Sequence, residues 1–160
     1  MSDAKEYRNP KPTVDVLVEI DGGIVLIERK NPPPGWAIPG GFVDEGEPVE
    51  VAALREMKEE TNLDVVLTDL LYVYSDPRRD PRHHTETVVF IGHPADPRSR
   101  PVAGDDAGSV RIVDPEKLPE AMAFDHALVI SDYVRFKKTG RRPDPMEYLE
   151  RWQLKRPLRP

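Results

Sequence analysis

No cysteine occurs in the chain, so disulfides and thiolate metal sites are excluded, and any metal must be held by oxygen or by the four histidines. No run approaches the ~18 consecutive apolar residues of a membrane-spanning helix. Met1 to Pro12 is polar and charged, without the apolar stretch of a secretory leader. Positive charge is also short: 23 Lys and Arg stand against 29 Asp and Glu, a net −6 that argues against nucleic acid as a partner. The expectation is a cytoplasmic protein with no membrane and no nucleic-acid partner. A length of 160 residues suits one domain and would cramp two.

What is abundant is proline, at 18 residues, and acidic charge gathered in one place. Between Gly41 and Asp64, eight acidic residues (Asp44, Glu45, Glu47, Glu50, Glu56, Glu59, Glu60, Asp64) face only Arg55 and Lys58. The whole net charge of the chain sits there. A knot that dense is either a solvated helix face or a cation site.

Thr13–Ile20 and Ile24–Arg29 are β-branched runs separated by Asp21-Gly22-Gly23, which reads as a hairpin. Three prolines in Asn31–Gly35 lack the N–H that a ladder needs and take the chain out of the sheet. A helix is expected from about Pro48 to Thr61, with Asn62 as a left-handed stop. Val65–Tyr74, Thr85–Ile91 and Val110–Val113 read as strands. From Asp125, as cap, to about Lys138 a second helix is expected, with Ala127, Ile130, Val134 and Phe136 inward. Strands, a helix, more strands and a helix, without internal repeat, imply an α/β fold with a mixed sheet covered by helices. This places a domain over residues 13–139, an N-terminal extension over 1–12 and a basic, proline-rich tail over 140–160. Tyr148 and Trp152 would anchor the tail if it docks; the sequence is equally compatible with a mobile arm.

At about 100° per residue, Glu56, Glu59 and Glu60 share one arc of the first helix, with Val51, Leu54 and Met57 opposite. The apolar side is expected to pack and the acidic side to look out, with Ala52 and Ala53 leaving room beside the carboxylates. Like charges at these spacings repel, and anions near a helix C-terminus oppose the macrodipole. A divalent cation removes both penalties, and hard oxygen ligands of this kind select Mg²⁺ or Mn²⁺ over zinc.

The spacing Gly41-x5-Glu47-x7-Arg55-Glu56-Met57-x-Glu59-Glu60-x-Asn62-Leu63 resembles the Nudix box, Gx5Ex7REUxEExGU, departing from it only at Asn62, where the family has glycine. The resemblance implies a Nudix α/β/α sandwich and metal-dependent hydrolysis of a nucleoside diphosphate linked to another moiety. It makes Glu56, Glu59 and Glu60 the metal ligands, with the Gly40 carbonyl as an extra one, and Glu47 with Arg55 the structural pair that fixes the loop to the helix. Asp105 or Asp106 would be the general base. The loop Ser75–His84 (SDPRRDPRHH) resembles the short ADP-ribose pyrophosphatase branch, although His83 stands where glycine is expected. Phe124-Asp125-His126 resembles that branch too. The implied substrate is ADP-ribose, with Arg79, Arg82 and His84 on it. Hydrolysis of oxidised nucleoside triphosphates, as in MutT, is the second reading, and a non-catalytic nucleotide sensor is a third. Tyr72, Tyr74, Trp36 and Phe124 are all able to stack a base. Many family members are dimers, which makes a homodimer one option.

Overall fold

Asp21 and Gly22 both take positive φ, 51° and 80°, the backbone of a type I′ turn, and this joins the first two strands as a hairpin. The computed structural model describes residues 8–104 and 107–154. The strands are β1 (Lys11–Ile20), β2 (Gly23–Arg29), β3 (Gly35–Ala37), β4 (Gly40–Phe42), β5 (Val65–Tyr74), β6 (Thr85–Pro94) and β7 (Ala107–Val113). The helices are α1 (Val49–Thr61), α2 (His126–Thr139) and α3 (Pro145–Leu154). The sheet runs β3-β2-β1-β6-β5, with β4 added to β1 and β7 to β2. β1 and β6 are parallel, and the other pairings are antiparallel, so the sheet is mixed.

The two-residue period of β1 sends its side chains into two separate cores. Val14, Val16 and Val18 pack with Ala52, Ala53 and Met57 of α1. Leu17 packs with Val129, Ile130 and Tyr133 of α2. Helices therefore cover both faces of the sheet, the α/β/α sandwich expected of the sequence. No helix among the described residues is long and apolar enough to cross a membrane.

Three expectations about helix faces need correction. On α1, Ala52 and Ala53 are fully buried against β1 and leave no room for a ligand, whereas Val51 and Leu54 are 51% and 41% exposed. Small side chains let the helix lie close to the sheet, which turns the Glu56 and Glu60 edge inward. On α2, Ile130 is buried as expected and Val134 and Phe136 pack partly against the same core, but Ala127 faces out, and His126, Val129, Asp132 and Tyr133 are buried as well. Asp125 makes no side-chain cap, because its carboxylate is taken by an arginine described below. Asn62 does stop α1 in the left-handed region at φ 55°, its N–H donating to the Lys58 carbonyl.

α3 docks the tail. Tyr148 meets Tyr72 and Tyr74, each at 5.6 Å between ring centres, and Arg135 of α2 pairs with Glu147 at 2.9 Å.

Candidate active site

A cleft of about 330 Å³ opens where β4 crosses the edge of α1. Arg55 organises its rim. It donates from Nε and Nη2 to the two oxygens of Glu47, both at 2.9 Å, in a bidentate pair that ties the loop after β4 to the helix. Its Nη2 also reaches the Phe42 carbonyl at 3.0 Å, and its Nη1 reaches Glu56 Oε1 at 2.8 Å. Hydrogen bonds from Arg55 and from the Asp44 N–H hold the Glu47 carboxyl below its usual range.

Glu56 and Glu60 face the cleft, and both are half-buried. Burial pushes the Glu60 carboxyl up to about 8 against the opposing hydrogen bond from the Gly40 N–H, with Glu56 and Asp15 adding repulsion. That bond, Gly40 N to Glu60 Oε2, measures 2.9 Å. Burial also raises Glu56, and the nearby Arg55 opposes the shift. Glu59 stands apart: its side chain is 59% exposed and lies 3.4 Å from Arg55 Nη1. Among the described residues no three His, Asp or Glu side chains converge to enclose a metal ion. The fit is nevertheless good for a cation that takes one or two carboxylates and completes its shell with carbonyls, phosphates and water. Two partly buried carboxylates that repel each other across an open cleft are the donor set such an ion neutralises.

The opposite wall is cationic. Arg79, its side chain 4% exposed, donates from Nε and Nη2 to Asp125 at 3.2 and 2.9 Å and from Nη1 to Thr85 Oγ1 at 3.1 Å. Three of its five N–H groups are thus directed within the protein, and its side chain forms part of the cleft lining. Arg82 lines the cleft and is held by Asp80 through Nε and Nη2, at 3.0 and 2.9 Å. His84 lies outside the cleft lining, with Nε2 3.4 Å from the Ser75 carbonyl. Asp105 and Asp106 lie outside the described residues; Gly104 before them donates to the Glu60 carbonyl at 3.0 Å.

Sequence reasoning passed over Asp15, Arg29 and His126 as site residues, and all three line the cleft. The signal for Asp15 was present: an acid inside the apolar run Val14–Val18. Arg29 sits at the end of β2 with its guanidinium 4.7 Å from the centre of the Phe124 ring, and Arg82 lies 5.3 Å from the same ring. Phe124 holds φ at 56°, uncommon for an aromatic residue and concentrated at functional sites. Of the four aromatics able to stack a base, only Phe124 lines the cleft; Tyr74 is buried among tyrosines, and Trp36 is buried with Arg111 over its face.

The model of the NUDIX domain family matches residues 9–133. The chain belongs to that family. It is 46% identical over 140 residues to an ADP-ribose pyrophosphatase of Methanocaldococcus jannaschii, covering 84% of this chain and 81% of the relative. A putative 8-oxo-dGTP diphosphatase of Bacillus subtilis is 34% identical over 110 residues, covering 69% of this chain and 70% of that one. Among solved structures, the NUDIX domain of Shewanella oneidensis NrtR in complex with ADP ribose superposes with a TM-score of 0.68 at 25% identity, covering 83% and 91% of the two chains. A bifunctional NMN adenylyltransferase/ADP ribose pyrophosphatase of Francisella tularensis, solved with AMP and a manganese ion, gives 0.63 at 28% identity, covering 82% of this chain and 43% of that one. Divalent-metal chemistry in this Nudix fold accords with the Glu56–Glu60 edge of the cleft.

Proposed function

We propose that this Nudix hydrolase cleaves ADP-ribose, with water entering at the diphosphate to give AMP and ribose 5-phosphate, and that it uses Mg²⁺, with Mn²⁺ as a substitute. The observation that carries the reading is the division of one cleft into a carboxylate edge, Glu56 and Glu60, and a facing cationic and aromatic wall of Arg29, Arg82 and Phe124. A diphosphate flanked on both sides by sugars needs both halves. The 46% identity to an ADP-ribose pyrophosphatase supports the same substrate.

Glu56, Glu60 and the Gly40 carbonyl would hold the cation, with Glu59 joining from the rim. When bound, the ion neutralises diphosphate oxygens and lowers the pKa of the attacking water. Arg55 holds the Glu56 carboxylate in place, and the Gly40 N–H orients Glu60. Arg82 offers charge and its remaining N–H groups to the substrate's far side, with its plane set by Asp80 and Phe124. We assign the general base to Asp105 or Asp106. Arg79 and His84 are reassigned: Arg79 shapes the wall through Asp125, and His84 acts on the loop rather than on substrate.

The test is a hydrolysis screen over ADP-ribose, other nucleotide sugars, diadenosine polyphosphates and 8-oxo-dGTP, with products identified by mass. AMP and ribose 5-phosphate from ADP-ribose, at the highest kcat/KM of the panel, is the expected result. A preference for 8-oxo-dGTP, releasing pyrophosphate, would replace this reading with the MutT-like one. Binding of ADP-ribose without turnover would make the protein a sensor.

Arg82→Lys keeps a charge beside the buried Asp80 but loses the planar group over Phe124. It is expected to lose roughly tenfold in kcat/KM on ADP-ribose and much less on nucleoside triphosphates, which present no second sugar to this wall. Equal losses on both would make Arg82 a general phosphate clamp.

A further inference from the structure

The cleft stands on a layer of buried polar groups that the box motif does not contain. Asp15, 7% exposed, points from β1 toward α2, where His126 opens the helix and is also buried. His126 Nδ1 accepts the Ile38 N–H at 2.9 Å, which places the ring proton on Nε2. Nε2 lies 3.6 Å from Asp15 Oδ1. The other Asp15 oxygen accepts from Thr87 Oγ1 at 2.6 Å and lies 3.8 Å from Arg79 Nη2. Arg79 is in turn clamped by Asp125, the residue next to His126.

This layer grips the backbone that leads into the box at three successive residues. Ile38 is held by His126, and the Pro39 carbonyl accepts the Val16 N–H at 2.9 Å. Gly40 lies flat on β1: a Cβ there would fall 2.0 Å from the Val14 carbonyl and 2.7 Å from Asp15 Oδ1. From that position the Gly40 N–H donates to Glu60. A continuous set of contacts thus runs from Thr87 and Arg79 through Asp15 and His126 to the peptide beside the carboxylate of α1.

We infer that Asp15 and His126 are positioning residues for the reaction, acting through Ile38 to Gly40 to set the Gly40 peptide and the Glu60 carboxylate in the geometry that receives the cation. The inference rests on the reading of Gly40 and Glu60 as cation-holding groups. Polar groups that serve packing alone can be exchanged for apolar ones of like shape with little loss. The aim of a single peptide group cannot be kept that way, because it depends on one acceptor at one place.

The two ring nitrogens can be tested separately. Asparagine at 126 puts its amide oxygen where Nδ1 was and keeps the acceptor for Ile38. Glutamine puts its amide at the Nε2 position, facing Asp15, and loses that acceptor. Mn²⁺ affinity, measured on the protein alone by electron paramagnetic resonance, is followed beside kcat, KM and Tm. His126→Gln is expected to weaken Mn²⁺ binding and kcat by roughly 10- to 100-fold with KM nearly unchanged, and His126→Asn to recover most of both. Asp15→Asn should resemble His126→Asn, since both weaken the contact between residue 15 and the ring position while leaving the acceptor for the Ile38 N–H in place. If His126→Gln binds Mn²⁺ and turns over like wild type, changing only Tm, or if His126→Asn is as impaired as His126→Gln, the inference falls. Glu60→Gln serves as control: loss of Mn²⁺ affinity there with none in His126→Gln overturns the positioning role and leaves the cation reading standing. Because Mn²⁺ binding requires no substrate, an error about ADP-ribose would leave these outcomes unaffected.

Discussion

Glu60→Gln is expected to cut turnover by at least about two orders of magnitude, yet to melt higher than wild type in metal-free buffer at pH 8. The two effects have one cause. Burial, with repulsion from Glu56 and Asp15, raises the Glu60 carboxyl from 4.5 to about 8 despite the Gly40 N–H. A carboxyl raised by folding favours the folded state while protonated. That stability is present below about pH 4.5 and is lost as the pH climbs through 8. Metal-free wild type should therefore lose Tm across this window, and Glu60→Gln, which carries no charge to bury, should lose less. A divalent cation reverses the sign for wild type, because it binds the ionised form and releases a proton, so Mg²⁺ should raise Tm more at pH 8 than at pH 5. Thermal melts at both pH values, with Mg²⁺ and with a chelator, measure all of this. A variant that keeps near wild-type turnover with Mg²⁺, or a wild-type Tm that rises with pH without metal, would remove Glu60 from the site.

Gly41→Ala is the second large effect, and it separates chemistry from folding. A Cβ on Gly41 would lie 2.3 Å from Glu56 Oε1 and 2.4 Å from its carboxyl carbon. The obstacle is the tip of a side chain, so the fold can survive by swinging Glu56 out of the cleft. Turnover is expected to fall by about two orders of magnitude with a Tm loss of only a few degrees. Gly40→Ala is a different case, since its Cβ would meet the Val14 carbonyl of β1 at 2.0 Å, and backbone cannot swing aside. That variant should lose β4 pairing and much of its stability. Parallel Tm and kcat measurements distinguish them; a Gly41→Ala enzyme that turns over normally would show that Glu56 is not needed where it stands.

The departures from the sequence reading share a physical origin. Helical periodicity at α1 put Val51, Leu54 and Met57 on the packing side, but the helix rests on Ala52, Ala53 and Met57. Periodicity sorts residues by polarity, whereas close approach to a sheet is decided by side-chain size. Asp125 stands at a cap position, yet its carboxylate serves Arg79, 46 residues away in sequence. A salt bridge to a buried guanidinium outweighs one N–H, and no local pattern announces it. Arg79 and Arg82 occur in one loop of similar chemistry, and only their burial separates a wall residue from one open to substrate.

The sequence by itself determined the hairpin through Asp21-Gly22, the strand runs, the carboxylate helix with its stop at Asn62, and the family through the box. These are local features, set by backbone sterics, proline's missing N–H and charge at fixed helical spacing. Tertiary structure alone decided which carboxylates share a cleft, with Glu56 and Glu60 inside and Glu59 at its rim. It also decided that Asp15 and His126 lie beneath Gly40, and that Tyr148 brings the tail onto the β5 tyrosines. Those outcomes depend on contacts between segments tens of residues apart, where burial converts an ordinary Asp, His or Arg into a committed partner.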